Sequence, residues 1–244
     1  MNFLLLHASE LSVAGIAVLA GRRATHARTV LRVQPGQRLR AGIIDGDLGT
    51  ATVLEVDPQR VVVAMERERA SAPGADVLLL AVPRPKVLLR MYAHAAALGF
   101  GHLVLFRSWR VDKSHLDSTA MRPQVQREQL LLGLEQAGRT HVPRITFCGL
   151  FKPMVEDTWQ QLELPPQRFV AHPSADTATH DLAALHGAAF TLVLGPDGGL
   201  LPYEVDALQA RGCLPIHCGL WPLRTETALA ALAGQLQLLR NRRN

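Results

Sequence analysis

The feature that most constrains the fold is an alternation of short apolar runs with helical patterns, which begins at Val77 and continues to Arg240. Each apolar run is typical of a buried strand, and each is followed by apolar residues at helical spacing. Because strands that alternate with helices pair in parallel, the pattern predicts an α/β fold with a parallel sheet covered on both faces. The predicted strands cover residues 77–82, 103–106, 144–147, 168–171, 190–194 and 214–217, and the predicted helices cover 83–98, 123–136, 153–162, 179–186, 202–211 and 225–240.

The segment before this alternation consists of short β-type runs separated by turn signals. Asp45-Gly46-Asp47 is typical of a hairpin turn, and residues 57–59 mark another. The predicted strands are 3–6, 16–19, 38–44, 50–56 and 60–65, with one helix at 22–33. Residues 66–76 resemble a linker. We therefore expect a small β-barrel domain over residues 1–72 and an α/β domain over residues 73–244.

The chain has 26 lysine and arginine residues against 21 acidic residues, and only Lys86, Lys113 and Lys152 are lysines. An excess of arginine suits the recognition of phosphates and bases, because the planar guanidinium donates to pairs of oxygens and stacks on flat rings. A GC-rich genome, which favours arginine codons, explains the same excess without any ligand. Composition alone leaves these two explanations open.

The positions of the basic residues are more informative than their number. No acidic residue lies between Glu10 and Asp45, and a second basic block covers residues 84–152. The pattern indicates a basic face for a polyanion, with nucleic acid as the expected partner. A solvated basic helix is the alternative. The basic residues of the first block are Arg22, Arg23, His26, Arg28, Arg32, Arg38 and Arg40.

The remaining composition excludes several classes of protein. The three cysteines have no paired spacing, which favours a reducing compartment. No apolar run approaches the roughly 20 residues that span a bilayer, and no Cys/His cluster has the spacing of metal ligands. We therefore expect a cytoplasmic protein with no membrane segment and no metal. Trp109 and Trp159 are interpreted as packing residues.

Two glycine-containing loops follow predicted strands near the C-terminal end. The first is Leu194-Gly195-Pro196-Asp197-Gly198-Gly199, and the second covers residues 218–228. Each is either a binding loop or a tight structural turn, and Arg224 with Glu226 could be a surface pair at a helix start. Because the carboxyl ends of parallel strands share one edge of a sheet, we expect both loops to meet in one pocket.

These loops resemble two motifs of a known family. Residues 195–199 are similar to G-P-E-G-G, and residues 219–228 are similar to L-G-x-x-I-L-R-x-E-T-A, the motifs of RsmE-type 16S rRNA (uracil-N3)-methyltransferases in the SPOUT superfamily. The resemblance extends from about residue 20 to the C-terminal end. Further matches are Glu135-Gln136-Ala137-Gly138-Arg139, His26 with Val30-Leu31-Arg32 and Gly36, Lys86, and Ala171-His172-Pro173.

The resemblance implies a fold and an activity. A PUA-like β-barrel precedes a SPOUT-type parallel sheet whose C-terminal segment forms a trefoil knot that holds S-adenosylmethionine. Two subunits form a homodimer with each active site at the interface. The reaction is methylation of uracil N3 in 16S rRNA, near the decoding centre of the small ribosomal subunit, and it needs no metal.

The resemblance also implies roles for individual residues. Arg224 is expected to stabilise the negative charge that develops on the uracil oxygens, and Glu226 to orient Arg224 or accept a proton. The expected cofactor-binding residues are Val170, Ala171, His172, Leu194, Gly195, Pro196, Gly198, Gly199, Cys218, Gly219, Leu223, Arg224 and Thr227. The expected RNA-binding residues are Arg22, His26, Arg28, Arg32, Arg38, Lys86 and Arg139.

The chain departs from the family pattern at four positions. Asp197 replaces a glutamate, Trp221 a basic residue, Pro222 a β-branched residue and Ala97 an acidic residue. These departures leave two alternatives open. One is a related SPOUT methyltransferase with another RNA target, and the other is a non-catalytic RNA-binding factor of ribosome assembly.

Overall fold

The computed structural model describes residues 3–219 and 221–241. It divides into two units, Met1–Pro73 with Leu131–Val142 and Gly74–Leu130 with Pro143–Asn244. The predicted boundary between residues 72 and 73 does not account for residues 131–142, which belong to the first unit. Hydrogen bonds explain it, because the Thr140 hydroxyl donates to the Gly46 carbonyl at 2.8 Å and the Val142 amide donates to Asp45 Oδ1 at 2.8 Å.

The first unit contains a five-stranded sheet in the order β1-β3-β4-β5-β2. β1 and β3 are parallel, and the other neighbours are antiparallel. Helix α1 (Gly21–Thr29) is shorter than the predicted 22–33, since Arg32 turns to a left-handed φ of 50° and the Val33 amide bonds back to the Ala27 carbonyl. The strands are β1 (Phe3–Leu6), β2 (Ile16–Ala20), β3 (Arg38–Ile43), β4 (Leu48–Val56) and β5 (Arg60–Arg69). The predicted linker at 66–76 therefore begins as strand.

The second unit is built on a six-stranded sheet in the order β11-β9-β10-β6-β7-β8, with every pair parallel. This confirms the predicted α/β fold. The strands are β6 (Asp76–Ala81), β7 (Phe100–Arg107), β8 (Arg144–Leu150), β9 (Gln167–Ala171), β10 (Phe190–Leu194) and β11 (Leu214–Ile216). The helices are α2 (Pro85–Leu98), α4 (Pro202–Ala210) and α5 (Thr225–Asn241), and α3 (Pro123–Ala137) begins in this unit and ends in the first. Helix α2 ends at Gly99, whose left-handed φ of 88° lets its amide bond back to Ala95 and Ala96.

Two predicted helices are wrong in detail. Residues 153–162 are helical but irregular, passing from α through π to 3₁₀ geometry before Glu163 turns left-handed. Residues 179–186 contain only a short 3₁₀ turn, Thr179–Asp181. In this second segment the amides bond to distant parts of the chain, because Thr179 donates to the His217 carbonyl at 2.9 Å and Leu185 donates to the Leu239 carbonyl at 3.1 Å. Tertiary hydrogen bonds thus replace the local ones.

The strand order places the carboxyl ends of β9, β10 and β11 side by side. The chain runs outward through β6, β7 and β8 on one side of the sheet and then builds the other side with β9, β10 and β11. A sheet of this kind has its ligand crevice outside the carboxyl ends, where the direction of the strand order changes. We therefore expect the ligand-binding site at the loops that follow residues 171, 194 and 216.

His102 on β7 makes the stability of the fold depend on pH. Its side chain is 6% exposed, its Nδ1 accepts from Arg144 Nη2 at 3.1 Å, and its Nε2 therefore carries the proton donated to Thr146 Oγ1 at 2.8 Å. Burial, and then the charge of Arg144, lower the pKa of His102 to about 4.

We expect the free energy of unfolding to fall as the pH is lowered from about 6.5 to about 4, by up to about 3 kcal/mol. In that window the unfolded chain binds a proton at His102 that the folded chain does not. Urea unfolding at several pH values measures the effect. His102→Asn is expected to flatten this part of the profile, and an unchanged slope would contradict the assignment.

Candidate functional site

A cavity of about 250 Å³ lies at the carboxyl ends of β9, β10 and β11. Its walls are the three loops that follow these strands and one face of helix α5. The residues that line it are Ala171, His172, Pro173, Leu194, Gly195, Pro196, Asp197, Gly198, Gly199, Leu200, Ile216, His217, Cys218, Gly219, Trp221, Pro222, Leu223, Thr225, Ala228 and Leu232. The two glycine-containing loops thus meet in one pocket, as the sequence predicts.

The loop after β10 folds tightly because of its glycines. Gly199 has a left-handed φ of 74°, and its amide donates to the Pro196 carbonyl at 2.8 Å. A Cβ atom on Gly195 would lie 3.1 Å from both the side chain and the amide nitrogen of Leu200. Larger residues are therefore disfavoured at these two positions, and the backbone itself forms this wall of the cavity.

Asp197 holds the same loop from the side. Its carboxylate lies 3.4 Å from the Arg84 guanidinium, and it carries the one carboxylate among the described lining residues. The shorter aspartate that replaces the family's glutamate therefore still has a cationic partner. Because the Arg84 side chain is 75% exposed, the pair contributes little to stability, and its main effect is on loop position.

The loop after β11 forms the opposite wall. The His217 ring contacts the backbone of Gly219, because its Nδ1 lies 3.0 Å from the Gly219 carbonyl oxygen and 3.3 Å from the Gly219 amide nitrogen. Trp221 is 79% exposed and Leu223 is 44% exposed, so apolar side chains surround the mouth of the cavity. Leu220 lies outside the described residues. Leu194 is 2% exposed and belongs to the cavity lining.

Arg224 and Glu226 lie at the start of α5 but are not among the residues that line the cavity. Arg224 is exposed, and its carbonyl accepts from the Ala228 amide at 2.8 Å. Glu226 Oε1 accepts from Arg90 Nη2 at 2.8 Å. This hydrogen bond is the largest influence on the pKa of Glu226, which lies below its usual range, and the charge of Arg224 lowers the pKa further.

The lowered pKa argues against one of the two expected roles of Glu226. A carboxylate that remains ionised and bound to a guanidinium is a weak proton acceptor at neutral pH. Its second oxygen, Oε2, is buried without a hydrogen-bond partner within the described residues. Glu226 is therefore held by Arg90, and no hydrogen bond or ion pair joins it to Arg224 within the described residues.

Most of the expected cofactor-binding residues come together at the cavity. Val170 is fully buried within β9, and Arg224 and Thr227 do not contribute to the lining. Sequence reasoning missed the part of the wall formed by α5. Thr225, Ala228 and Leu232 lie at helical spacing on one face of that helix, so the periodicity of the sequence contained the signal.

The basic residues of the first unit differ in their exposure and in whether their side chains already have hydrogen-bond or ion-pair partners. Arg22 and His26 are exposed on α1, and Arg32 is exposed just after it. Arg28 donates to the carbonyls of Asp57 and Pro58, so it holds the β4–β5 turn and its guanidinium is not free for a phosphate. Other members have partners within the same unit. Arg23 pairs with Glu10, and Arg38 lies 3.6 Å from Glu66 and 4.0 Å from Glu68.

The two remaining expected RNA-binding residues lie in different units. Arg139 is half-buried in the first unit, and its amide donates to the Leu134 carbonyl. Lys86 is exposed in the first turn of α2 in the second unit. Within residues 3–219 and 221–241, no group of His, Cys, Asp and Glu side chains is arranged to hold a metal ion. None of the described helices has both the length and the apolarity needed to cross a membrane.

Comparison with known proteins agrees with this geometry. The model of the RNA methyltransferase domain matches residues 71–237, which include all three loops of the cavity. The chain belongs to the RNA methyltransferase family. A model of the RNA methyltransferase PUA domain matches residues 19–66. The resemblance to RsmE-type enzymes is confirmed by these matches together with the named relatives described next.

Individual relatives in this family cover nearly the whole chain. The ribosomal RNA small subunit methyltransferase E of Treponema pallidum is 30% identical and aligns over 95% of this chain and 88% of its own. The protein of the same name from Mycobacterium bovis is 25% identical, over 93% and 88%. A Neisseria gonorrhoeae ribosomal RNA small subunit methyltransferase E bound to S-adenosyl methionine has the same fold, with a TM-score of 0.74, 21% identity and 98% coverage of both chains.

Proposed function

We propose that this RNA methyltransferase transfers a methyl group from S-adenosylmethionine to N3 of one uridine of 16S rRNA, near the decoding centre of the small ribosomal subunit. The observation that carries the proposal is the cavity at the carboxyl ends of β9, β10 and β11, whose walls are the two family motifs. The relatives in Treponema pallidum and Mycobacterium bovis are named for the small-subunit RNA, which supports that substrate.

The residues of the cavity fit this cofactor. Leu194, Ile216 and Leu232 provide apolar surface for a flat purine ring. A Cβ atom at Gly219 would project into open space, so this wall has room for a ligand. The carboxylate of Asp197 suits a ligand that carries positive charge on its sulfonium and amino groups. The Neisseria gonorrhoeae structure contains S-adenosyl methionine, which supports the choice.

When bound, S-adenosylmethionine supplies an electrophilic methyl group that already carries its leaving group. The chain must then hold the uracil in line and stabilise the negative charge that spreads onto its carbonyl oxygens. Arg224 is the residue we assign to that charge, because it is exposed directly before α5, the helix that forms one wall of the cavity, and a guanidinium can donate to a carbonyl oxygen. Glu226, fixed by Arg90, is assigned to orient Arg224 through its charge.

The finer features of the fold follow from the same family. We infer that the sheet of the first unit closes into a PUA-like β-barrel and that the C-terminal segment passes through a trefoil knot. The knot has support in the segment between β9 and β10, which bonds both to the end of β11 and to the end of α5. The His217 amide donates to the Thr177 carbonyl at 3.0 Å, and the Gly187 amide donates to the Arg240 carbonyl at 3.0 Å.

We also propose a homodimer that acts on 16S rRNA or the small subunit in the cytoplasm. Trp221, Pro222 and Leu223 are exposed around the mouth of the cavity, and a second copy of the chain would cover this apolar surface. Of the expected RNA-binding residues of the first unit, Arg22, His26 and Arg32 are exposed and make no ion pair within the described residues. No metal is assigned a role.

The experiment is methylation of 16S rRNA from a strain that lacks N3-methyluridine in this RNA. Purified protein, labelled S-adenosylmethionine and either naked rRNA or small subunits are incubated, and the modified nucleoside is mapped by mass spectrometry. We expect N3-methyluridine at one position. A methyl group on another nucleoside would identify a related enzyme with a different target. Binding of rRNA without binding of S-adenosylmethionine in calorimetry would identify an assembly factor and overturn the proposal.

A further inference from the structure

We propose that the loop after β7, residues 108–111, forms the wall of the site that receives the RNA, and that the Trp109 ring stacks on an unpaired nucleobase next to the methylated uridine. The inference rests on the proposed function and deepens it. From its sequence context Trp109 is interpreted as a packing residue, whereas its side chain is 75% exposed. Trp159, by contrast, is 3% exposed and does pack in the core.

The position of this loop relative to the cavity follows from the order of the strands. β10, β6 and β7 are neighbours in the sheet, so the loops at their carboxyl ends lie next to one another. The glycine loop after β10 has two sides. One side lines the cavity, and at the other side the Arg110 guanidinium donates to the Gly198 carbonyl. The loop that carries Trp109 is therefore separated from the cofactor cavity by a single backbone segment.

Glu204 on α4 fixes Trp109 at this place. The carboxylate is completely buried, and its Oε1 accepts from the Trp109 amide at 2.9 Å. Its Oε2 accepts from the Leu201 amide at 2.8 Å, at the end of the glycine loop. A buried carboxylate costs several kcal/mol unless it is hydrogen-bonded. Here the hydrogen bonds tie the two loops to one another, so the backbone that carries the exposed indole is held in position before any ligand arrives.

The charge around Trp109 identifies the kind of ligand. Arg84, Lys86 and Arg110 are all exposed on the loops and the helix start that follow β6 and β7. Arg84 pairs with Asp197 and Arg110 donates to the Gly198 carbonyl, whereas Lys86 has no such partner within the described residues. An exposed aromatic ring with cations on the same and the neighbouring loop suits single-stranded RNA, because bases stack on the ring while phosphates contact the cations. An apolar protein partner would not need these cations. The surface therefore fits an unpaired segment of RNA.

Stacking on one aromatic residue contributes about 1–3 kcal/mol per base. Trp109→Ala is therefore expected to raise the KM for rRNA by roughly 5- to 150-fold, at about 1.4 kcal/mol per tenfold change. The Kd for S-adenosylmethionine should stay within about twofold, since Trp109 does not line the cavity. Trp109→Phe should recover most of the loss because it keeps an aromatic plane. Phe147→Ala, which removes another exposed aromatic ring from β8, is the matched control and should leave the KM unchanged.

Fluorescence tests the contact without depending on activity. In Trp221→Phe, the tryptophans that remain are Trp109 and the buried Trp159, so an oligonucleotide with the unmodified rRNA sequence should quench the emission of Trp109. The quenching should disappear when Trp109→Phe is added.

Three results separate the possible failures. An unchanged KM in Trp109→Ala, with normal methylation by the parent protein, would overturn the inference and leave the proposed function intact. A dimer that dissociates in Trp109→Ala during sedimentation would show that the ring belongs to a subunit interface, which would also overturn it. RNA quenching of Trp109 in a protein that methylates no RNA would support the contact and contradict the proposed function.

Discussion

Replacing Arg224 by alanine is expected to lower kcat for rRNA methylation by about 100- to 1000-fold, the usual effect of removing a donor that stabilises developing negative charge. Negative charge on the uracil oxygens develops as N3 loses its proton to solvent and is consumed as the N3–methyl bond forms, so the guanidinium stabilises the deprotonated uracil on the way to the transition state more than the neutral substrate. The Kd for S-adenosylmethionine should change by less than about twofold, because Arg224 does not line the cavity. We therefore expect Arg224→Ala to lower kcat and to leave the affinity for S-adenosylmethionine nearly unchanged.

Single-turnover methylation at saturating S-adenosylmethionine and RNA measures this effect, and calorimetry measures the Kd. Arg224→Lys should recover only part of the rate, since an ammonium group cannot donate to two oxygens in one plane. Arg211→Ala is the matched control. Arg211 follows α4 at the amino edge of the sheet, away from the cavity, and its loss should leave kcat unchanged. A normal rate in Arg224→Ala would remove this residue from the proposed mechanism.

The parallel sheet was predictable from the sequence because each of its strands is a short run of apolar residues. In β6 every residue is buried, and in β10 likewise, so the local pattern and the tertiary environment agree. The prediction of a helix at 179–186 was wrong because the hydrogen bonds of this segment are tertiary rather than local. Thr179 and Leu185 have their amide partners at His217 and Leu239, far along the chain, and no local pattern reports such a partner.

The candidate site was predictable to the extent that it consists of backbone. The glycines at 195 and 199 indicate a tight turn with close backbone contacts. Because each loop follows a strand of the parallel sheet, the sequence also predicts that both loops lie at the carboxyl edge of that sheet. Contacts between residues that are distant in the sequence were not predictable. The contact of Arg90 with Glu226 appears only when the fold brings α2 and α5 together. The contact of Glu204 with the Trp109 amide likewise requires α4 to lie beside the loop after β7.

Asp76 and Arg240 form an ion pair at the amino edge of the sheet, opposite the cavity. Asp76 is 2% exposed, and its two oxygens accept from Arg240 Nη1 at 2.8 and 2.7 Å. Asp76 Oδ1 also accepts from the Phe190 amide at 3.1 Å, and the Arg240 guanidinium lies over the Phe190 ring at 5.6 Å. One carboxylate thus joins the starts of β6 and β10 to the end of α5.

Asp76→Ala is expected to lower the free energy of unfolding by about 3 kcal/mol, at the lower end of the range for breaking a buried pair, because Arg240 keeps 24% of its side chain exposed. For a chain of this size the Tm should fall by about 6–12 °C. The double variant Asp76→Ala/Arg240→Met should regain part of this loss, because it leaves no unpaired buried charge.

The same variant separates stability from function, because the two ends of α5 have different tasks. Thr225, Ala228 and Leu232 in its first half line the cavity, whereas Arg240 in its last turn anchors the helix. At a temperature where Asp76→Ala remains folded, the Kd for S-adenosylmethionine should therefore equal that of the parent protein. A Kd weakened tenfold under those conditions would mean that the anchor also sets the position of the cavity wall. A Tm that does not fall would mean that neither the ion pair nor the hydrogen bond from the Phe190 amide to Asp76 contributes to stability.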